Sequence, residues 1–144
     1  MIEYPIPTEG HTSMGKKIHI VSQFDGLEGR LVTDTGAKVA LGQSAETFAP
    51  YELLLGGLSF CLHSTFESIA EKMQVTYDHI DMHVSGEKRD DKVATLETCE
   101  IAVEAQGVAD QDKFTKAFEI STRYCSVYHT ISKVAQMSWT VTFV

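Results

Sequence analysis

The chain has 144 residues, 43% hydrophobic and 22% charged, a composition typical of one globular domain with its own core. Its formal net charge of −8 argues against nucleic acid or an anionic membrane as the main partner. Three cysteines without close pairs indicate a reducing compartment rather than a disulfide-stapled secreted fold. No apolar run approaches the ~20 residues that span a bilayer, and the start of the chain lacks the pattern of a secretory signal. We therefore expect a single cytoplasmic domain over residues 1–144.

The first third of the chain predicts an arm followed by a three-stranded meander. Residues 1–17 are punctuated by Pro and Gly, and we expect a loose N-terminal arm there. Three short apolar runs separated by Asp-Gly and Asp-Thr-Gly turn signals predict strands over Ile18–Gln23, Arg30–Thr33 and Lys38–Leu41.

The meander leads to a predicted helix over Pro50–Met73. Pro50 suits the first helical turn, and the helix dipole favours the carboxylate of Glu52 there. From Leu53 to Leu62 the helix is apolar nearly all round, which predicts burial on several sides.

Small side chains recur along this helix at three- and four-residue steps. The residues concerned are Gly57, Cys61, Ser64 and Ser68. They share one narrow strip, so a second element can approach closely with a thiol at the centre of the contact.

The second half of the chain predicts a hairpin, two helices and a last strand. The hairpin covers Thr76–Arg89 and Leu96–Ala105, Asp110 and Ser126 are predicted helix N-caps, and Trp139, Val141 and Phe143 alternate along the last strand. The predicted order is β-β-β-α-β-β-α-α-β. The fold class is therefore α+β, with antiparallel sheets wrapped around a buried central helix.

Two of the three cysteines raise the question of redox chemistry. Cys61 has two interpretations, a small buried apolar residue or a reactive thiolate. Cys125 falls just before the predicted cap at Ser126, where a helix N-terminus would stabilise a thiolate. The two are a plausible peroxidatic and resolving pair, whereas Cys99 lies on the apolar face of a strand and fits a core role.

Other chemical signals are weak. The six histidines are scattered, and no pair of them shares a helix at metal-binding spacing. His79 and His83 fall on the predicted outer face of a strand, where we expect solvated side chains. The sequence contains no Gly-rich phosphate loop and no nucleophile elbow, so we expect neither a metal nor a cofactor.

Two segments carry a family resemblance. Ala49 to Cys61, APYELLLGGLSFC, and Arg123 to Val127, RYCSV, resemble the two cysteine motifs of the OsmC/Ohr family, the osmotically inducible and organic-hydroperoxide-resistance proteins. The predicted element order matches that family over nearly the whole chain after residue 17. The sequences of both motifs look more similar to those of less characterised OsmC-like members than to those of the classical hydroperoxide reductases.

The resemblance implies a thiol-dependent peroxidase. In this family mechanism, Cys61 attacks an organic hydroperoxide and becomes a sulfenic acid. The sulfenic acid condenses with Cys125 to a disulfide, and a lipoyl-type dithiol then reduces that disulfide. It also implies an intertwined homodimer with two active sites at the interface. The apolar residues around Cys61 would suit a fatty-acid or alkyl hydroperoxide.

The chain departs from the family pattern at the charged residues that poise the cysteine. The resemblance implies a Glu directly after the helix-starting Pro and an Arg in the first hairpin turn. Here these positions are Tyr51 and Leu27, with Glu52 one residue and Arg30 three residues further on. We expect Glu52 and Arg30 to be the catalytic partners of the cysteine pair, each with a purely structural alternative, and Arg123 to be a further source of positive charge.

Three hypotheses follow for the function of the chain. The first is a cysteine-based hydroperoxide reductase. The second is a dimer that binds a hydrophobic small molecule at its interface pocket without peroxidase turnover, and the third is a purely structural dimer with core cysteines.

Overall fold

A computed structural model describes residues 15–144 and divides the chain into two compact units, Met1–Phe48 and Ala49–Val144. Most of the predicted N-terminal arm, residues 1–14, lies outside the described residues. The α+β class and the predicted order of nine elements are both confirmed.

The first unit contains an antiparallel sheet in the order β1-β2-β3. Its strands are β1 (Ile20–Asp25), β2 (Glu28–Thr33) and β3 (Lys38–Leu41). Both predicted turns are present: Gly26 has φ +67° and Gly36 has φ +92°, the left-handed backbone that glycine adopts without strain. The first strand begins two residues later than the sequence predicts.

The second unit begins with α1, which covers Pro50–Met73 as predicted. Its buried residues follow one another at four-residue steps, namely Leu58, Leu62, Phe66 and Ala70. Within a single chain Leu54 is 40% and Phe60 74% exposed, so burial on several sides stays a prediction that depends on the expected homodimer. The helix packs on α2 (Gln111–Tyr124), α3 (Ser126–Ser132) and β4 (His79–Lys88).

By length and composition alone α1 is long and apolar enough to cross a membrane, a property that the core helices of water-soluble proteins share. Its buried stripe nevertheless contributes directly to the core of the Ala49–Val144 unit. Phe66 packs on Phe114 and Phe118, with ring centroids 4.7 and 6.2 Å away. The helix therefore serves as the core helix of this unit.

The second sheet has the order β4-β5-β6, with β5 over Leu96–Gln106 and β6 over Gln136–Phe143. Strands β4 and β5 are antiparallel as predicted, but β6 runs parallel to β5, so the expectation of purely antiparallel sheets is wrong. The reason is the connection: α2 and α3 form a long crossover between β5 and β6, the kind of link that parallel neighbours need. Alternate residues of β5 face the core, as the sequence predicts.

Candidate active site

The centre of α1 meets the junction of α2 and α3 at two thiols. The sulfur of Cys61 lies 3.2 Å from the sulfur of Cys125, and both cysteines are free thiols. Cys61 is half-buried, whereas Cys125 has no exposed surface. A disulfide requires about 2.05 Å between the sulfurs, so a shift of about 1 Å would join them.

The position of Cys125 results from how one helix stops and the next starts. Its backbone N–H donates to Ser121 as the last bond of α2, at 2.9 Å. Its own backbone is extended, and its sulfur accepts the N–H of Tyr128 at 3.4 Å, which makes Cys125 the N-cap of α3. The prediction that Ser126 is the cap is therefore wrong: the thiol takes that role, and Ser126 is the first residue of α3.

The start of α3 also supplies hydrogen bonds to Cys61. The hydroxyl of Ser126 lies 3.9 Å from its sulfur. Burial raises the pKa of the Cys61 thiol, but hydrogen bonds from the backbone of Val127, the thiol of Cys125 and Ser126 outweigh it, so this pKa falls below its ordinary value of 9.0. The groups that favour the thiolate are therefore hydrogen-bond donors rather than a charged side chain.

The pKa values of the other two cysteines, Cys125 and Cys99, are raised instead of lowered. Burial raises the pKa of Cys125 to about 11, and its hydrogen bond to Cys61 adds to this rise, because Cys125 donates its proton to the neighbouring sulfur. Burial also raises the pKa of Cys99, which lies on β5 and is 1% exposed. The paired thiols thus differ in the direction of their pKa shift, lowered for Cys61 and raised for Cys125, which makes Cys61 the better candidate for the nucleophile.

The charged residues predicted to act with the thiols have other partners. The carboxylate of Glu52 accepts the N–H of Ala49 at 2.8 Å and so caps α1. Cys61 lies nine positions further along the helix, about 13 Å along the axis. Arg30 lies on β2 in the other unit, where its guanidinium donates to Gln23 at 2.8 Å. Arg123 pairs with Glu119 at 2.6 Å.

Sequence reasoning missed the donors at the start of α3. The backbone N–H of Val127 and the hydroxyl of Ser126 matter only because α3 begins directly beside Cys61, and no periodicity encodes that contact. The motif RYCSV did contain a signal for one of these donors. Ser126 directly follows Cys125, so its hydroxyl lies close to any group that contacts the Cys125 thiol.

The two histidines that the sequence places on a strand lie on β4. His79 and His83 are exposed, 3.1 Å from Asp81 and 3.8 Å from Glu104 respectively. Among residues 15–144, no group of three or more His, Cys, Asp or Glu side chains could hold a metal ion.

Comparison with known proteins identifies the family. The family model described as OsmC-like protein matches residues 42–140, more than half of the chain. No curated protein matches.

Solved structures match over the length of the fold. An OsmC-like protein from Mycoplasma pneumoniae has a TM-score of 0.81 at 19% identity, covering 91% of this chain and 99% of its own. An organic hydroperoxide resistance protein from Elizabethkingia anophelis has a TM-score of 0.73 at 14% identity, covering 92% and 99%. The organic hydroperoxide resistance protein OhrB of Bacillus subtilis has a TM-score of 0.69 at 15% identity, covering 88% and 98%. These likenesses establish the fold, and with the family model they lead to one conclusion: this chain belongs to the OsmC-like family.

Proposed function

We propose that this protein is a thiol-dependent peroxidase that reduces organic hydroperoxides. The single observation that carries the proposal is the pair of sulfurs 3.2 Å apart, of which Cys61 has a lowered and Cys125 a raised pKa. The names of two similar structures, both organic hydroperoxide resistance proteins, support the same reaction class.

In the first step the thiolate of Cys61 attacks one oxygen of the hydroperoxide. A sulfur–oxygen bond forms, the O–O bond breaks, and the alkoxide leaves with a proton as an alcohol. Cys61 is oxidised to a sulfenic acid. The donors from Ser126 and Val127 lower the pKa of the Cys61 thiol and so favour the thiolate that attacks.

In the second step Cys125 resolves the sulfenic acid. Its sulfur attacks the sulfur of Cys61, the S–O bond breaks, and hydroxide leaves with the proton of Cys125 as water. The raised pKa of Cys125 keeps its proton in place while Cys61 is a thiolate, so Cys61 is the nucleophile of the first step. Cys125 is fully buried, and its sulfur lies 3.2 Å from that of Cys61, so its proximity favours it as the resolving thiol.

Regeneration and assembly complete the proposal. A dithiol reductant of the lipoyl type reduces the Cys61–Cys125 disulfide in the cytoplasm, and the protein acts as a homodimer of single OsmC-like domains with two active sites. Glu52 and Arg30 remain predicted catalytic partners. Their roles are tested by Glu52→Gln and Arg30→Gln, which lower turnover only if these side chains act on the thiol pair.

A second function has one observation in its favour. A cavity of about 210 Å³ lies among mostly apolar side chains of α1, β5 and α3. It is lined by Tyr51, Leu54, Thr95, Leu96, Thr130, Ile131 and Val134. A protein that binds a hydrophobic small molecule there without turnover would retain a co-purified ligand in native mass spectrometry while its thiols stay unreactive.

The test of the leading function is the consumption of cumene hydroperoxide with dihydrolipoamide as reductant. Cys61→Ser removes the nucleophile, so we expect a loss of more than roughly 1000-fold in turnover. Equal rates for wild type and Cys61→Ser would rule the function out.

A further inference from the structure

A serine hydroxyl lies beside the thiol that attacks the hydroperoxide. Among residues 15–144, two polar side chains contact the sulfur of Cys61, namely the thiol of Cys125 at 3.2 Å and the hydroxyl of Ser126 at 3.9 Å. Cys125 is fully buried, whereas Ser126 is exposed. Of these two neighbours, the hydroxyl of Ser126 is therefore the one that a hydroperoxide entering from solvent can contact.

This hydroxyl is free to turn toward a substrate. In the described part of the chain, the hydroxyl of Ser126 has no hydrogen-bond partner besides the sulfur of Cys61. Ser64 and Thr65, one turn along α1 from Cys61, differ in this respect, because their hydroxyls donate to the backbone carbonyl of Cys61 at 3.0 and 2.8 Å. Ser126 is the first residue of α3, so α3 offers no earlier carbonyl that could accept its hydroxyl in the same way.

Cleavage of the O–O bond creates a demand for such a donor. As the sulfur–oxygen bond forms, the negative charge of the thiolate moves to the oxygen that leaves with the alkyl group. A donor aimed at that oxygen lowers the barrier, because it binds the transition state more strongly than the reactants. Within the described residues, the charged side chains predicted to assist Cys61, which are Glu52, Arg30 and Arg123, bond to other groups.

The distances allow the hydroxyl to follow the charge. A reacting oxygen approaches the sulfur to about 3 to 3.5 Å before attack, and an O–H···O hydrogen bond spans about 2.8 Å. These two lengths close a triangle with the 3.9 Å between the sulfur of Cys61 and the oxygen of Ser126, so one oxygen can contact both groups. The leaving oxygen, one bond further from the sulfur, is also within reach after rotation about the Cβ–Oγ bond of Ser126.

We propose that Ser126 is a catalytic residue whose hydroxyl donates a hydrogen bond to the oxygen that leaves with the alkyl group. The inference rests on the proposed function, because it deepens the first step of that reaction. The thiolate of Cys61 gives its electron pair to the terminal oxygen, which keeps its hydrogen and becomes the sulfenic acid. The O–O bond breaks toward the other oxygen, which takes a proton from water and leaves as an alcohol. Ser126 keeps its own proton.

Two electrophiles separate this role from an effect on the thiolate alone. Iodoacetamide alkylates the same sulfur, but its leaving iodide is a poor hydrogen-bond acceptor. A smaller thiolate fraction slows both reactions equally, so the ratio of the cumene hydroperoxide rate to the alkylation rate reports the help given to the leaving oxygen. In Ser126→Ala we expect this ratio to fall about tenfold. A donor in a water-excluded site contributes roughly 100- to 1000-fold, but water replaces part of the bond at an exposed position.

The rates are measured in a single turnover, as the loss of free Cys61 by peptide mass spectrometry. Ser126→Thr keeps a hydroxyl and should restore the ratio to within about threefold of the wild-type value. Ser64→Ala is the matched control, because it removes an exposed hydroxyl that donates to a backbone carbonyl, and it should leave the ratio unchanged.

The acidity of the leaving group supplies a readout that a merely structural role would not move. Peracetic acid releases acetate, a weak base that needs little help from a donor, so Ser126→Ala should lower its ratio by less than about twofold. An equal fall for peracetic acid and cumene hydroperoxide overturns the inference, because the variant then disturbs the site as a whole. A cumene hydroperoxide ratio within about twofold of wild type also overturns it, because the hydroxyl then acts only on the thiolate.

Failure of this inference is distinguishable from failure of the proposed function. If oxidation of Cys61 depends on Ser126 but no dithiol restores the thiols, only the proposed function fails. If the wild type turns over and the ratio does not fall in Ser126→Ala, only the role of Ser126 fails. A wild-type Cys61 that iodoacetamide alkylates but no hydroperoxide oxidises contradicts both.

Discussion

Two sites in the core of the Ala49–Val144 unit contain a buried thiol, and their chemistry differs. Cys99 lies in the middle of β5, opposite Gly86 of β4 and Met137 of β6, and burial alone raises its pKa. At the helix junction Cys125 is equally buried, yet its sulfur lies against a backbone N–H and a second sulfur. Burial by itself makes a thiol inert, whereas donors placed beside the sulfur decide which thiol ionises.

The largest effect that would sharpen this comparison is the loss of the resolving thiol. In Cys125→Ser the first attack by Cys61 still occurs, but no disulfide forms. We expect steady-state turnover to fall by roughly 100-fold or more, with a burst of one hydroperoxide per chain and a Cys61 sulfenic acid trapped by dimedone.

The matched control is Cys99→Ala. It removes an equally buried thiol and should lower the free energy of unfolding by about 1 kcal/mol. Its turnover should stay within about twofold of the wild-type rate. Similar losses of turnover in both variants would erase the distinction between the two regions.

The second effect is a difference in alkylation between the three thiols. Because the pKa of Cys61 lies below 9.0, its thiolate fraction at neutral pH is larger than that of an ordinary thiol, and its rate with iodoacetamide should level off below pH 9. Cys125, with a pKa of about 11, should gain reactivity only at strongly alkaline pH. Peptide mass spectrometry across a pH series measures both, and Cys99 should react only after unfolding. Coincident pH profiles for Cys61 and Cys125 would contradict the hydrogen-bond pattern.

The smallest effect is that of a single donor. Ser126→Ala removes the hydroxyl 3.9 Å from the sulfur of Cys61 but keeps the backbone donors, so alkylation of Cys61 at pH 7 should slow only about two- to fourfold. Ser132→Ala is the control on the same helix, because that hydroxyl bonds the carbonyl of His129 instead. Loss of reactivity in the control as large as in Ser126→Ala would mean that both variants act by loosening α3.

The sequence was informative where local chemistry decides the structure. Pro50, the apolar steps that follow it, the glycine turns and the Asp110 cap predicted α1, the meander and α2 closely. It failed where the answer depends on how elements meet. The parallel direction of β6 follows from the crossover of α2 and α3, which no strand pattern encodes.

The same division holds at the candidate site. Motifs predicted Cys61 and Cys125 as a pair, but not that Cys125 would cap α3 with its sulfur or that α3 would supply donors to Cys61. Those features depend on the end of one helix lying beside the middle of another.

The most direct test of the account is to map the disulfide after one equivalent of an organic hydroperoxide. The account predicts a mass loss of two hydrogens and a single cross-linked peptide pair containing Cys61 and Cys125, reversed by a dithiol. A protein that remains fully reduced, or whose cross-link involves Cys99, would contradict it.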